Sequence, residues 1–319
     1  MNTNSKHIST GILAGLAAAL LASGVLVQSG FAIALYVLTP LPIFIAALGW
    51  GTTAGLIAAG TASIAMAFFA APMVAVLIAL TSFIPAATGA YLAGLARPAQ
   101  ELGGPEDALV WYPLSDILFR LSLLIAASFV IVGIIIGFGQ EMINELSAAV
   151  IASLKASDPA FNHGEDFNET LKKFLLIALP AIQAATSLLF LTANFYLALR
   201  ITERAGILRR PRDNWPATLR MPRPALPVFA IFFAGSMFLS GPAGLIATAF
   251  AGALAAGFIM SGLAIIHWRT RGAPWRPFAL WLAYFLLIIF AFSAVVFLVI
   301  GLMDTSRTAP ISKDPPQSA

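Results

Sequence analysis

The stretch PAGLIATAFAGALAAGFIMSGLAIIH, from Pro242 to His267, decides the fold. It carries no Asp, Glu, Lys or Arg, and a helix of about 20 apolar residues is what crosses the roughly 30 Å hydrocarbon core of a bilayer. Runs of the same kind recur outward from it, near 9 to 27, 31 to 49, 52 to 70, 72 to 96, 117 to 138, 174 to 199, 225 to 240 and 277 to 303. With the opening stretch they predict an all-α fold, a polytopic transmembrane helix bundle of about nine spans, eight to ten bracketing the count. The least regular are the second, broken by Pro40 and Pro42, and the seventh, which is short and opens at Pro224 and Pro227.

Composition agrees, with 60% apolar and 10% charged residues, and all 32 formal charges fall in the connections, at segment edges or in the tails. A charge at the centre of a bilayer is costly and marks an ion path, a proton relay or a counter-ion. The pattern therefore argues against ion transport through intramembrane carboxylates. Cysteine is absent, which excludes disulfides, thiolate nucleophiles and cysteine metal sites. His7, His163 and His267 lie in three unrelated places and suggest no metal site. The sequence holds no HExxH, GxSxG, Gly-rich phosphate loop or nucleotide-binding pattern, so no enzyme and no cofactor is expected. The net charge of +4 reads as a topology signal, with the lipid bilayer as the partner and no nucleic acid implied.

Orientation follows from lysine and arginine. The connection over 200–224 carries Arg200, Arg204, Arg209, Arg210, Arg212, Arg220 and Arg223 against Glu203 and Asp213, which the positive-inside rule makes cytoplasmic. A tight Ser240-Gly241-Pro242 turn then brings Arg269, Arg271 and Arg276 to the same side. Counting through nine spans puts 13 of the 18 basic residues inside. The expected location is a bacterial inner membrane, with the amino terminus cytoplasmic and the carboxyl terminus outside. The chain divides into a cytoplasmic start (1–10), one transmembrane helical domain (11–303) and a disordered tail (304–319). The first segment reads as a retained helix, since no small-residue cleavage site follows it.

The connection over 139–173 is then extracytoplasmic. Met142, Leu146, Val150 and Leu154 recur at helical spacing and suggest an amphipathic interfacial helix. Glu165, Asp166 and Glu169 beside His163 have the residue types of a metal site but no recognised ligand spacing, and read as a solvated loop.

Two constellations are candidates for function. Thr39-Pro40-Leu41-Pro42 removes two backbone donors inside the second segment, which frees carbonyls near Tyr36 and Val37. Such groups at membrane depth must be buried in protein or line a cavity. In the sixth segment Gln183, Ser187 and Asn194 fall on roughly one face, with Thr186 beside them. Neutral amides and hydroxyls either fix an uncharged ligand or tie helices together. A cavity between these two segments, holding a small uncharged ligand, is the expectation for Tyr36, Pro40, Pro42, Gln183, Ser187 and Asn194. The first segment has two small-residue stripes, Gly11, Gly15 and Ala19 beside Ala14, Ala18 and Ala22. Small residues let helices approach closely, either within the chain or against another membrane subunit.

Leu38-Thr39-Pro40-Leu41-Pro42, followed by Leu48-Gly49-Trp50-Gly51 and Ala54-Gly55, resembles the early helices of the substrate-binding components of energy-coupling-factor vitamin transporters. Asn194 to Arg200, Arg210-Pro211 and Ser261 to His267 resemble the YybS-like family of predicted bacterial membrane proteins of unknown function, itself distantly similar to those components. The resemblance covers about Gly11 to Met303. It implies a binder of small vitamin-like solutes that hydrolyses no ATP and relies on a separate coupling subunit, with Ala14, Ala18 and Ala22 facing that subunit. The chain departs in length, since those components usually have six spans. A membrane scaffold or assembly protein with a basic cytoplasmic face is the alternative, and a lipid-modifying enzyme a third reading.

Overall fold

The computed structural model describes residues 3–27, 29–106, 108–137, 140–158 and 164–307. In chain order the helices are α1 (Thr3–Ala22), α2 (Gly30–Val37), α3 (Leu41–Trp50), α4 (Thr52–Phe69), α5 (Pro72–Ile78), α6 (Ile84–Ala93), α7 (Leu114–Ile136), α8 (Gln140–Ser157), α9 (Glu165–Arg204), α10 (Trp215–Thr218), α11 (Ala225–Phe238), α12 (Gly241–Arg269), α13 (Arg276–Ile289) and α14 (Ala294–Ser306). Two short antiparallel strands, β1 (Ala96–Pro98) and β2 (Leu109–Trp111), close the connection between α6 and α7.

Among the described residues, seven helical stretches are long and apolar enough to cross a membrane: Ser5–Leu26, Gly30–Trp50, Thr52–Phe69, Pro72–Ala93, Leu114–Ile136, Asp166–Arg204 and Gly241–Arg269. Two of the nine expected spans fall short. α11 has 14 residues, about 21 Å at 1.5 Å per residue. The segment 277–303 is broken over Phe290–Ser293 into α13 and α14.

The core is built from close approaches of small residues. α1 packs on α4 where a Cβ added to Gly11 or Gly15 would sit 2.8 or 2.5 Å from the Ala54 or Ala58 carbonyl oxygen. Ala18 and Ala22 are fully buried and Ala14 packs against the same core. This corrects the docking expectation: the small-residue face of α1 is occupied by helices of its own chain, because dispersion between close backbones is what holds helices together in lipid.

α12 is the central post. Its Gly252 meets the Ala181 backbone of α9, and the two helices run parallel, since Tyr196 and His267 line one cavity at their far ends. α11 runs antiparallel to α12, with Gly235 against Ala247 and the Phe229 and Phe258 rings 5.4 Å apart. α14 is antiparallel as well, with Gly262 against the Phe297 backbone and Gly301 against that of Phe258. These contacts explain the break before α14. α13 begins just beyond the end of α12 and α14 begins beside that same end, so α13 does not descend through the bundle. Only Ala283 of α13 is buried.

The arginine-rich connection is not a surface strap. α9 stays helical through Arg204, and Gly206, at φ 69°, turns the chain back. The chain then enters the bundle: Met221 packs on Gly257 of α12, 12 residues and about 18 Å from the end at Arg269. α11 starts from that depth, which is why it is short.

At the far side of the bundle α8 packs on α9, and Ser147 donates to Asn168 at 3.3 Å. Its buried line runs through Ile143 and Ser147, one position over from the expected Leu146 and Val150 line, while Leu154 is exposed. His163 lies outside the described residues, as do 308–319 of the expected tail.

Candidate functional site

The break in the second span follows from its two prolines. Pro40 has no N–H to offer the carbonyl three residues back, and Leu41 N–H turns to Leu38 at 3.0 Å. The Val37 carbonyl is left over by the backbone. Asn194 of α9 reaches across and donates its Nδ2 to it at 2.8 Å, and to Phe190 O at 2.8 Å. The Tyr36 carbonyl is not freed, since Thr39 N–H donates to it at 3.1 Å. Asn194 is buried and is therefore a strap that ties α9 to the α2–α3 break.

A second irregularity faces the first. Between α5 and α6 the backbone widens into a π-helical turn over Ala79–Phe83. Pro85 sits four residues after Thr81 and cannot return a hydrogen bond to its carbonyl, and such turns recur at functional sites. The turn carries Thr81 and Ser82 toward α9.

Between the two irregularities and α9 lies a cavity of about 400 Å³. Tyr36, Thr81, Ser82, Gln183, Thr186 and Ser187 supply its polar wall, and Val37, Pro40, Phe129, Ile182, Phe190 and Leu191 the rest. None of the described lining residues is charged. The Ser82 Oγ is buried and has no hydrogen-bond partner. Thr81 Oγ1, in contrast, is satisfied by Leu77 O at 2.8 Å. Of the six residues expected here, Tyr36, Pro40, Gln183 and Ser187 line the cavity. Pro42 does not: it sits in the first turn of α3. Asn194 does not line it either. Thr81 and Ser82 were missed, although Pro85 inside an apolar run signals their displaced backbone.

The seven arginines of the connection separate into different roles. Arg210 is buried, grips Asp213 with two bonds of 2.8 and 2.9 Å, and donates to Tyr112 O at 2.8 Å and Ala93 O at 3.3 Å. It thus caps α6 and fixes the end of β2. Arg220 pairs with Asp304 of α14, both nearly buried. Arg223 donates to Arg307 O at 2.7 Å. Arg200 and Arg212 stand 3.9 and 3.8 Å from Glu203, and Arg204 and Arg209 are exposed. The Arg220–Asp304 pair corrects the expectation that every charge stays at the edges: it lies near the mid-length of α12, beside Met221 and Gly301.

Among the described residues no group of three or more His, Cys, Asp or Glu could hold a metal ion. A bundle of long apolar helices around an uncharged polar cavity makes this a multi-pass membrane protein. The chain matches the family described as "Predicted membrane protein (DUF2232)" over residues 15–305 and belongs to it. No curated protein and no solved structure matches the chain.

Proposed function

We propose that this protein is an inner-membrane binding protein for a small uncharged solute, acting as the solute-binding component of a transport system whose energy comes from a separate subunit. The observation that carries the reading is the cavity of about 400 Å³ between the α2–α3 break, the π turn and α9. Its size falls within the roughly 300–1,000 Å³ of small-molecule sites. An ion there would lose its hydration without gaining a counter-charge, at a cost of many kcal/mol, whereas hydroxyls and amides recover their hydrogen bonds from Ser82, Gln183, Thr186 and Ser187. The resemblance of Leu38 to Pro42, Leu48 to Gly51 and Ala54-Gly55 to vitamin-binding transporter components supports the same class of ligand. In this reading the arginine-rich face is cytoplasmic.

The test is thermal unfolding of the purified full-length protein against a panel of small uncharged polar solutes, with Gln183→Leu alongside. At least one solute raises the Tm, and Gln183→Leu weakens its binding about tenfold, the loss of one hydrogen bond. The variant unfolds within about 2 °C of the parent, since Gln183 lines open space. A panel that moves nothing, or a variant that binds as tightly as the parent, overturns the reading.

A further inference from the structure

α9 has a second cavity on its other side, against α12. It measures about 550 Å³, and Leu189, Ala193, Leu219, Met260, Leu263 and Ala264 give it an apolar wall. At the end toward Arg269 it adjoins another cavity of about 510 Å³, and the two share Tyr196, Trp215, Pro216 and His267. That second space holds Arg212, Arg271 and Arg276. Its one carboxylate, Asp213, is already held by both bonds from Arg210.

Two of the three arginines there lack a counter-charge, while Arg212 stands 3.8 Å from Glu203. Among the described residues Arg271 and Arg276 make no ion pair. Arg271 donates to Asn214 Oδ1 at 2.5 Å and lies over the Trp268 ring at 4.5 Å. Arg276 Nε is buried with no acceptor. A buried donor without a partner is destabilising, and an anionic oxygen is the acceptor that would satisfy it best. His267 Nε2 and the Tyr284 hydroxyl, 2.8 Å apart, stand at the junction. The order is then cationic at Arg271, just past the end of α12, polar at His267, and apolar at Leu263 and Met260, with about 13 Å of helix between Met260 and Arg269.

We infer that this composite site binds one anionic phospholipid, with its phosphate among Arg212, Arg271 and Arg276 and an acyl chain in the slot between α9 and α12. The polarity order matches that of a lipid in a bilayer leaflet, charge at the surface and chain inward, which a free phosphate ion would leave half unused. The site is separate from the uncharged cavity and does not depend on the solute-binding reading.

The test uses the full-length protein in a neutral detergent and three probes: short-chain phosphatidylglycerol, phosphatidylcholine with the same chains, and inorganic phosphate. Phosphatidylglycerol at ten times its Kd raises the Tm by about 3 °C, and the other two raise it by less than about 1 °C. Arg271→Gln with Arg276→Gln removes the preference for phosphatidylglycerol. Ala193→Phe, which fills the slot from an exposed position, removes the shift without creating a response to phosphate. An equal shift with phosphatidylcholine reduces the site to an apolar slot, and an equal shift with phosphate makes it an anion site only; either overturns the proposal. So does a double arginine variant that keeps the full preference. If a variant fails to fold, the three probes on the parent still decide.

Discussion

Gln183, Thr186 and Ser187 back onto one cavity of α9, and Leu189, Ala193 and Tyr196 onto another. The first lies against irregular backbone, is partly open, and mixes uncharged polar groups with apolar ones. The second is apolar along its length and cationic at its mouth. The difference follows from depth. A polar group inside the bundle is tolerable when it is neutral and finds a hydrogen bond, while an unpaired charge is tolerable where water or headgroups reach it. One helix thus borders two cavities of different chemistry, with hydroxyls and amides on one side and an apolar wall leading to arginines of other elements on the other.

The change with the largest expected effect removes what both cavities share. A Cβ on Gly252 would fall on the Ala181 backbone, so Gly252→Val forces α9 and α12 apart. Overpacking against backbone costs about 3 kcal/mol, a Tm loss of roughly 6 °C or more, and the solute and lipid responses disappear together. A variant that lost one response and kept the other would show that α9 does not set both walls.

Asn194→Leu separates the two sides. It deletes the bond to the Val37 carbonyl and leaves that oxygen buried without a donor, at about 1–3 kcal/mol, or roughly 2 to 6 °C in Tm. Solute binding weakens as the α2–α3 break loosens, and the phosphatidylglycerol shift stays as in the parent. A loss of both would mean the strap organises the whole helix.

Ser82→Ala has the smallest effect on stability. Its Oγ is buried without a hydrogen-bond partner, so the variant unfolds within about 2 °C of the parent or slightly higher, while solute affinity falls several-fold. A clear drop in Tm without solute would indicate a partner for the hydroxyl inside the fold.

The uncharged side was largely legible in the sequence because its causes are local. Two prolines two residues apart remove identifiable donors, and Gln183 and Ser187 share a helix face by spacing alone. What spacing could not give was that Asn194 satisfies Val37, 157 positions away, rather than a ligand. The cationic side was legible only as a charge excess. Which arginines are engaged depends on Asp213 folding back onto Arg210 and on α10 standing against α12, and neither leaves a periodic signal. The break at Phe290–Ser293 was equally silent, since no proline or glycine marks it. The small residues of α1 were readable as a packing face, but pattern alone does not say whether the neighbour belongs to the same chain.

The ion pair between Arg220 and Asp304 also imposes an order on biosynthesis. The two residues are 84 positions apart, so Arg220 leaves the ribosome roughly 4 to 17 seconds before its counter-charge at 5–20 residues per second. Unpaired at that depth it would cost about 3–5 kcal/mol. The depth of the arginine connection, and with it the start of α11, therefore depends on α14 supplying Asp304. Met221, whose carbonyl accepts from Thr305 of α14, and Ala225 keep their buried places beside α12 only with α14 in position.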